Sequence, residues 1–589
     1  MIKSETKICQ NCKKEFLIEP EDFSFYEKMQ VPPPTFCADC REQRRIAFRN
    51  ERALYKRKCD LCGRTIISRV SPDKPYPVYC QECWWSDKWD PLSYGQKYDF
   101  SRPFFEQYRE LFNSVPHVSL LNSNMVNSEW VNQETDDKNC YLNVGGHFNE
   151  DSAYNTYELY GKDSFDNFWL LHGELCYGNI SSERSYRVFF SRECFDCQDV
   201  FLSYDCRNSH HLFGCAGLRN KSFCIFNKQY SKEEYERFIA DNPLSSSSKL
   251  TEMIGKANKI WLSIPHRDRF VINVSNVTGN AVTSSKNSHN VWTSENMENC
   301  KNMYIAADMK DSYDGSSIAW SELIYEGGHC GGLYNSKFFM FVFGGGDVTE
   351  QNSSFLEYCY TTISSHNCFG CVNLKKKEYC ILNKQYTKEE YENILPNIRK
   401  QMMDMPYEGK NGRVYKYGEF FPIEMSPYGY NETVAEDYYP LTREEALEKG
   451  YPWSDYEADS KVEFSDYKIP DDIKDVGDDI LEKILKCDVS GKPYRIIPME
   501  LQFLRRMNLP VPRLSPLERH KERMNRLLPR QLFRRVCECA GSERARNGYI
   551  NTVLHRHGEG KCGNKISTSY TPDRPELVYC EECYQAEIV

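Results

Sequence analysis

Residues 139–167 read NCYLNVGGHFNEDSAYNTYELYGKDSFDN, in which three short units, NCYLN, DSAYN and DSFDN, set an aromatic residue among Asn, Asp and Ser. Units of the same kind follow as ELCYG at 174 and ECFDC at 193, then NCKNMY at 299, DSYDG at 311 and SELIY at 321. Their spacing, about nine to twenty residues, is too short for helical repeats, and the turn-forming residues leave each unit one strand and one turn. Strands this short bury no face alone and are stable only when stacked. The expected fold is therefore mainly β, with a parallel β-helix or related solenoid as core and inward ladders of Cys, Ser, Tyr and Phe. A β-sandwich is the alternative.

The core is duplicated. FGCAGLRNKSFCIFNKQYSKEEYERFI from Phe213 resembles FGCVNLKKKEYCILNKQYTKEEYENIL from Phe369. Each copy ends in a helix opened by an S/T-x-x-E capping box, Ser231 with Glu234 and Thr387 with Glu390, which satisfies free first-turn amides. These helices are expected to cap two halves, 135–262 and 263–404. A Pro-, Tyr- and acid-rich stretch, 405–482, reads as an extended connector with one helix from Thr442, boxed by Glu445. Residues 96–134 form a second connector.

Both ends of the chain carry cysteine modules. Cys9, Cys12, Cys37 and Cys40 give CxxC-x24-CxxC within 1–58; Cys59, Cys62, Cys80 and Cys83 give CxxC-x17-CxxC within 59–95. Two knuckles presenting two thiolates each suit a tetrahedral structural zinc with no open position, and the second pattern is that of a zinc ribbon. Segments of this size rarely fold on apolar burial alone, so metal would supply folding free energy.

Cys9–Arg45 aligns without a gap on Cys487–Arg523 at an offset of 478, matching Pro20 with Pro498, Phe25 with Phe503 and Met29 with Met507. In that copy, 483–535, Ser490, Ser515 and Glu518 replace Cys12, Cys37 and Cys40, so it is expected to be metal-free. Cys62–Cys83 aligns on Cys562–Cys583 at an offset of 500, which places Glu559 opposite Cys59. The last ribbon, 536–589, thus keeps Cys562, Cys580 and Cys583 and needs a fourth ligand. Cys539 is the first choice, with Cys537 and His557 as alternatives. About three zinc ions are expected in all.

The stretch KICQNCKKEFLIEPEDFSFYEKMQVPPPTFCADCR resembles the probable zinc-ribbon or treble-clef domain of bacterial proteins, with CxxC, an aromatic FY pair and then PxxCxxCR. GEFFP, SPYGYNET and YPLTREEA extend the similarity to zinc-ribbon proteins of small-genome bacteria. The resemblance implies that Cys9, Cys12, Cys37 and Cys40 bind zinc. It implies no activity.

The composition, 40% hydrophobic and 27% charged, is globular, and the 27 cysteines are odd in number and rich in CxxC pairs. Reduced thiols are the better reading, which together with the polar start and the absence of a long apolar run points to the cytoplasm and away from membranes. The net charge of −10 opposes non-specific nucleic-acid binding, yet basic segments follow the first module and its copy. Arg41, Arg44, Arg45, Arg49, Arg523, Arg526 and Arg530 are the candidate phosphate contacts; pairing with the acidic connector or with a protein is the alternative.

The central CxxC pairs, Cys194 with Cys197 and Cys368 with Cys371, read as buried packing, as do His210, His211 and His366 as polar strand residues. Trp84, Trp85 and Trp89 are expected to dock the second ribbon on the core rather than stack bases. Asp196, Asp199 and Asp205 are the tightest carboxylate group for a carbohydrate enzyme. No phosphate loop, GxSxG, HExxH or dinucleotide fingerprint is present, and Gly344, Gly345 and Gly346 read as a tight turn. No small-molecule cofactor is indicated. The sequence thus favours a non-enzymatic zinc scaffold with a macromolecular partner, ahead of nucleic-acid binding and a carbohydrate enzyme.

Overall fold

The computed structural model describes residues 3–342, 353–456 and 462–588. Two units divide the chain, one formed by 1–120 with 270–456 and the other by 121–269 with 457–589. Each holds one large open sheet made almost entirely of parallel strands. The N-terminal cysteine modules belong to the unit of the second-half sheet, and the C-terminal modules to that of the first-half sheet.

In the 121–269/457–589 unit, seven strands run from Thr156–Leu159 to Lys228–Gln229, and only the last pair is antiparallel. Tyr186 pairs with Gln198, Gln198 with His210 and His210 with Ser222, a constant step of 12 residues. Bridges of the same step begin at Ser123↔Thr135, so the repeat enters the stretch read as the connector 96–134. Parallel pairing also replaces the sandwich alternative, whose sheets are antiparallel.

A backbone rule underlies that step. Residues at positive φ recur at every third position, as at Asp163, Asp166, Trp169, His172 and Leu175. This conformation costs an ordinary L-residue about 1–2 kcal/mol and is easiest for Gly, Asn and Asp, which explains the residues that punctuate the units. The buried position also recurs every third residue, as at Ser185, Val188, Ser191, Cys194, Cys197, Val200, Ser203 and Cys206.

Where the side chain at this position is polar, its atoms serve the backbone. Along one column Asn143, Asn155, Asn167, Asn179, Ser191 and Ser203 each accept the amide of the residue twelve further on, at 2.8–3.1 Å. Buried amides thereby keep a partner that the sheet ladder does not supply. Buried thiols donate to carbonyls, as Cys215 Sγ does to Cys224 O at 3.4 Å. The expectation of inward Tyr and Phe is corrected for this unit: Cys, Val and Leu form the inner cluster. Phe165, Tyr177, Phe189, Phe201 and Phe213 form a separate cluster with Leu501, Phe503 and Leu504.

Asp137 occupies such a column and accepts the Asn149 amide at 2.9 Å, near buried Glu134 and Glu158. Burial pushes its carboxyl up to about 6 from 3.8 and pushes both glutamates up as well. The folded state therefore holds a proton that the unfolded chain releases, and stability falls as pH rises from about 4 to 6. Asp137→Asn keeps the acceptor and removes the charge, so it is expected to stabilise this unit at pH 7 by up to about 3 kcal/mol and to change little below pH 4. Urea unfolding at the two pH values checks this; equal midpoints at pH 7 would contradict it.

The other unit's sheet has ten strands, from Val271–Ile272 to Lys384–Gln385, again with a final antiparallel pair. Its interior holds Cys300, Met303, Met309, Ile318, Ile324, Cys359, Cys368, Cys371 and Cys380. The step is 11 at the first strands, as in Val271↔Val282 and Val277↔Ser288, becomes 12 from Gly279↔Val291 onward, and is 20 between Leu333 and Ser353. The run Gly344–Gly346 lies outside the described residues.

Helices Lys232–Asp241 and Lys388–Asp404 follow the final strands, each with its full capping box. A further helix, Ser247–Ser263, has no counterpart in the sequence reading. The stretch read as an extended connector is largely structural between 405 and 456: Tyr430, Val434, Ala435, Ala446 and Tyr451 pack with Ile46 and Ala47. Its short helix Arg443–Glu448 keeps the Thr442/Glu445 box. No helix among the described residues is long and apolar enough to cross a membrane.

Candidate metal centres

Hairpin Glu5–Ile8/Glu15–Ile18 places Cys9 and Cys12 on a knuckle, while Cys37 precedes helix Ala38–Ile46 and Cys40 lies in its first turn. Hairpin Tyr55–Lys58/Thr65–Ser68 and helix Gln81–Trp85 position Cys59, Cys62, Cys80 and Cys83 in the same way. Within each set all four sulfurs lie within 4.8 Å of one another. Cys12 and Cys37 are 3.7 Å apart, Cys62 and Cys80 3.9 Å. A tetrahedral ion with bonds of about 2.3 Å separates its sulfurs by about 3.8 Å, so both sets fit a metal with every position filled by protein.

The surroundings favour thiolate at Cys9 and Cys62, while neighbouring sulfurs and burial push the Cys37, Cys40 and Cys83 thiols up. The Cys9 thiol is pushed well down by hydrogen bonds from Cys37 and Cys40. Arg64 brings Cys62 down to about 6 and also reaches Cys80 Sγ at 3.5 Å. Backbone amides support the same sulfurs, Cys37 N to Cys9 Sγ and Cys80 N to Cys59 Sγ, both at 3.3 Å. A bound cation would take the place of the protons these sulfurs otherwise share.

The last ribbon corrects the choice of fourth ligand. Strand Phe533–Val536 pairs with Lys565–Thr568, and this register delivers Cys537 to Cys562, Cys580 and Cys583. Cys580 N donates to Cys537 Sγ at 3.2 Å, repeating the bond to Cys59, and Cys562 lies 4.0 Å from Cys580. Glu538 takes the Val578 amide as Asp60 takes that of Val78. Cys539 is not a member of that set and lies 3.3 Å from His557 Nε2. A sequence signal for Cys537 exists: the offset of 478 carries Cys59 onto it, and the offset becomes 500 by Cys562, so 22 residues are inserted between the first two ligands.

The copy at 483–535 keeps the fold of the first module by other means. Cys487 Sγ accepts the Ser515 amide at 3.3 Å, as Cys9 does that of Cys37, and the Ser515 hydroxyl caps helix Pro516–Asn525. Phe503, Leu504, Leu509 and Val511 join Phe165 and Tyr177 in one core. Among the described residues, Cys487 belongs to no cluster of metal-ligand type.

The basic helices turn inward. Arg41 meets both oxygens of Asp314 at 3.0 Å; Arg44 bridges Glu326 at 2.7 Å and Glu419 at 3.0 Å; Arg45 reaches Glu326 at 3.1 Å. Arg49 is buried against Glu51 at 2.7 Å, and Arg523 against Asp166 at 2.9 Å. Five of the seven arginines named as candidate phosphate contacts are thus buried with protein carboxylates, Glu419 of the acidic stretch among them, which is the pairing given as the alternative; Arg526 is exposed and Arg530 half-buried. Arg41 and Arg519 are equivalent under the offset of 478, and each ion-pairs with the fourth residue of a DSxD unit, Asp314 or Asp166. The arginines match because they dock equivalent modules on equivalent steps.

Other sequence candidates fall into place as packing or surface pairs. Cys194, Cys197, Cys368 and Cys371 are buried and donate to carbonyls, and none of the 27 cysteines forms a disulfide. His210 and His211 contact each other, and His366 contacts Ser354. Trp84 is buried, and Lys375 Nζ sits 4.6 Å over it and 4.8 Å over Trp89. Asp196 pairs with Arg184, Asp199 with Arg187, and Asp205 with Arg219 and Arg207. In comparison with known proteins, no family model matches this chain, and no curated protein matches it.

Proposed function

We propose that the protein is a non-enzymatic zinc-stabilised scaffold, a duplicated β-solenoid to which zinc-ribbon and treble-clef modules are fixed and whose flank binds a macromolecular partner. The closed four-cysteine clusters carry this reading, because sulfur from the protein fills every tetrahedral position and leaves none for substrate. The 12-residue parallel step, with positive φ at every third residue, supports the solenoid. The ion-paired Asp196, Asp199 and Asp205 weigh against carbohydrate chemistry, and the buried arginines against nucleic acid. A flank suited to a partner is the exposed column Phe148, Tyr160 and His172, whose rings stack at 5.0 and 4.7 Å. The free-thiol interior suits a reducing compartment, the cytoplasm.

The test is native mass spectrometry of protein purified without added metal, combined with pull-down by wild type and by Phe148→Ala/Tyr160→Ala. Retained zinc and a partner lost by the double variant are the expected result. A nuclease-sensitive adduct, or a turnover abolished by Asp199→Ala, would overturn it.

A further inference from the structure

The 22-residue insertion in the last ribbon carries a second constellation of ligand type. Cys539 Sγ lies 3.3 Å from His555 Nδ1 and 3.3 Å from His557 Nε2, and Cys583 Sγ completes a set within 4.8 Å. These are the donors and spacings of a tetrahedral site built from two cysteines and two histidines, whose nitrogen and sulfur ligands stand about 3.5 Å apart. Cys583 is also a member of the neighbouring Cys537/Cys562/Cys580 set.

The outer groups fit the same chemistry. His555 turns its other nitrogen, Nε2, to Glu587 Oε1 at 2.8 Å, and both side chains are almost wholly buried, 2% and 0% exposed. Glu587 is in turn held by Tyr549 Oη at 2.7 Å and by the Thr552 amide at 2.9 Å. A carboxylate that fixes the tautomer and aim of an imidazole is the arrangement that orients metal-bound histidine. Asn551 Nδ2 supports the Cys539 sulfur at 3.1 Å. The loop 540–561 contains neither helix nor strand and exposes Ile550, Val553 and Leu554, so regular hydrogen bonding and apolar burial do little to hold it. A bound ion would.

We propose that the last ribbon is a two-zinc cluster in which the Cys583 thiolate bridges an ion held by four cysteines and a second ion held by Cys539, His555 and His557. Five thiolates and two neutral imidazoles then serve two divalent ions, with the protons of the five thiols released to solvent on binding. The full chain would hold four zinc ions rather than three.

Native mass spectrometry of the full-length protein counts them. Four ions in wild type, three in His555→Ala/His557→Ala and two in Cys583→Ser are expected. Three ions in wild type and in the histidine variant would refute the second site while leaving the three four-cysteine sites intact. Four ions in the histidine variant would place the extra ion elsewhere and equally refute it. Three ions in Cys583→Ser would refute the bridge. Independently of variant folding, wild-type protein loaded with cadmium-113 is expected to show two resonances coupled through the shared sulfur; uncoupled resonances would overturn the bridge.

Discussion

Glu326→Ala is expected to destabilise the 1–120/270–456 unit by about 3–5 kcal/mol, the usual cost of removing one partner from a buried ion pair. Glu326 is fully buried and faces Arg44 at 2.7 Å and Arg45 at 3.1 Å, both with side chains 0% exposed. Burial pushes its carboxyl up against the pull of these arginines, so the network is held at a large desolvation cost that only complete pairing offsets. Without Glu326, Arg44 keeps Glu419 and Arg45 keeps Asp314 at 3.8 Å, too little for two guanidinium groups shut away from water. Glu326→Gln is expected to fall nearly as far, because the missing charge rather than missing volume is what counts. Asp196→Ala, which breaks an exposed pair with Arg184, should cost less than about 1 kcal/mol. Urea unfolding of the full chain checks all three, and a Glu326→Ala midpoint equal to that of wild type would sink the docking argument.

The same chemical change, cysteine to serine in a CxxC pair, should give opposite results at two places. Cys37→Ser is expected to lose one zinc ion and to unfold the hairpin Glu5–Ile8/Glu15–Ile18, with hydrogen-exchange protection there falling at least about a thousandfold. The apparent binding free energy of such a site, about 10–16 kcal/mol, exceeds anything a hairpin of two four-residue strands with exposed Ile8 and Leu17 can gain by burial. Cys371→Ser should retain all zinc and cost about 1–2 kcal/mol. Its sulfur is an interior filler donating to carbonyls of Phe369 and Cys380, and serine already occupies comparable buried positions such as Ser203 and Ser336. Equal zinc loss from both variants, measured by mass spectrometry, would reject the division of the cysteines into ligands and fillers.

The two classes were separable in the sequence by context. Ligand cysteines sit on short knuckles with a second pair 17–24 residues away, a spacing that local chain geometry makes meaningful. Interior cysteines recur among Ser and Asn in strand-like units. The step of 12 was not legible, because its signature is a position every third residue that accepts Cys, Ser, Asn, Val or Leu. That mixture of polar and apolar types blurs any hydrophobic period. Cys537 ranked only as an alternative to Cys539 for a different reason: an insertion displaced it from its CxxC partner, although the offset of 478 still pointed to it.

Sequence alone therefore determined what depends on neighbours along the chain: the thiolate pairs, the capping boxes at Ser231, Thr387 and Thr442, and the duplication. Tertiary structure decided what depends on neighbours in space. A run of arginines reads the same whether it meets phosphate or carboxylate, and only the fold brings Asp314, Glu326 and Glu419 to Arg41, Arg44 and Arg45. Likewise, only the fold brings Cys583, in the C-terminal helix, to Cys539, His555 and His557.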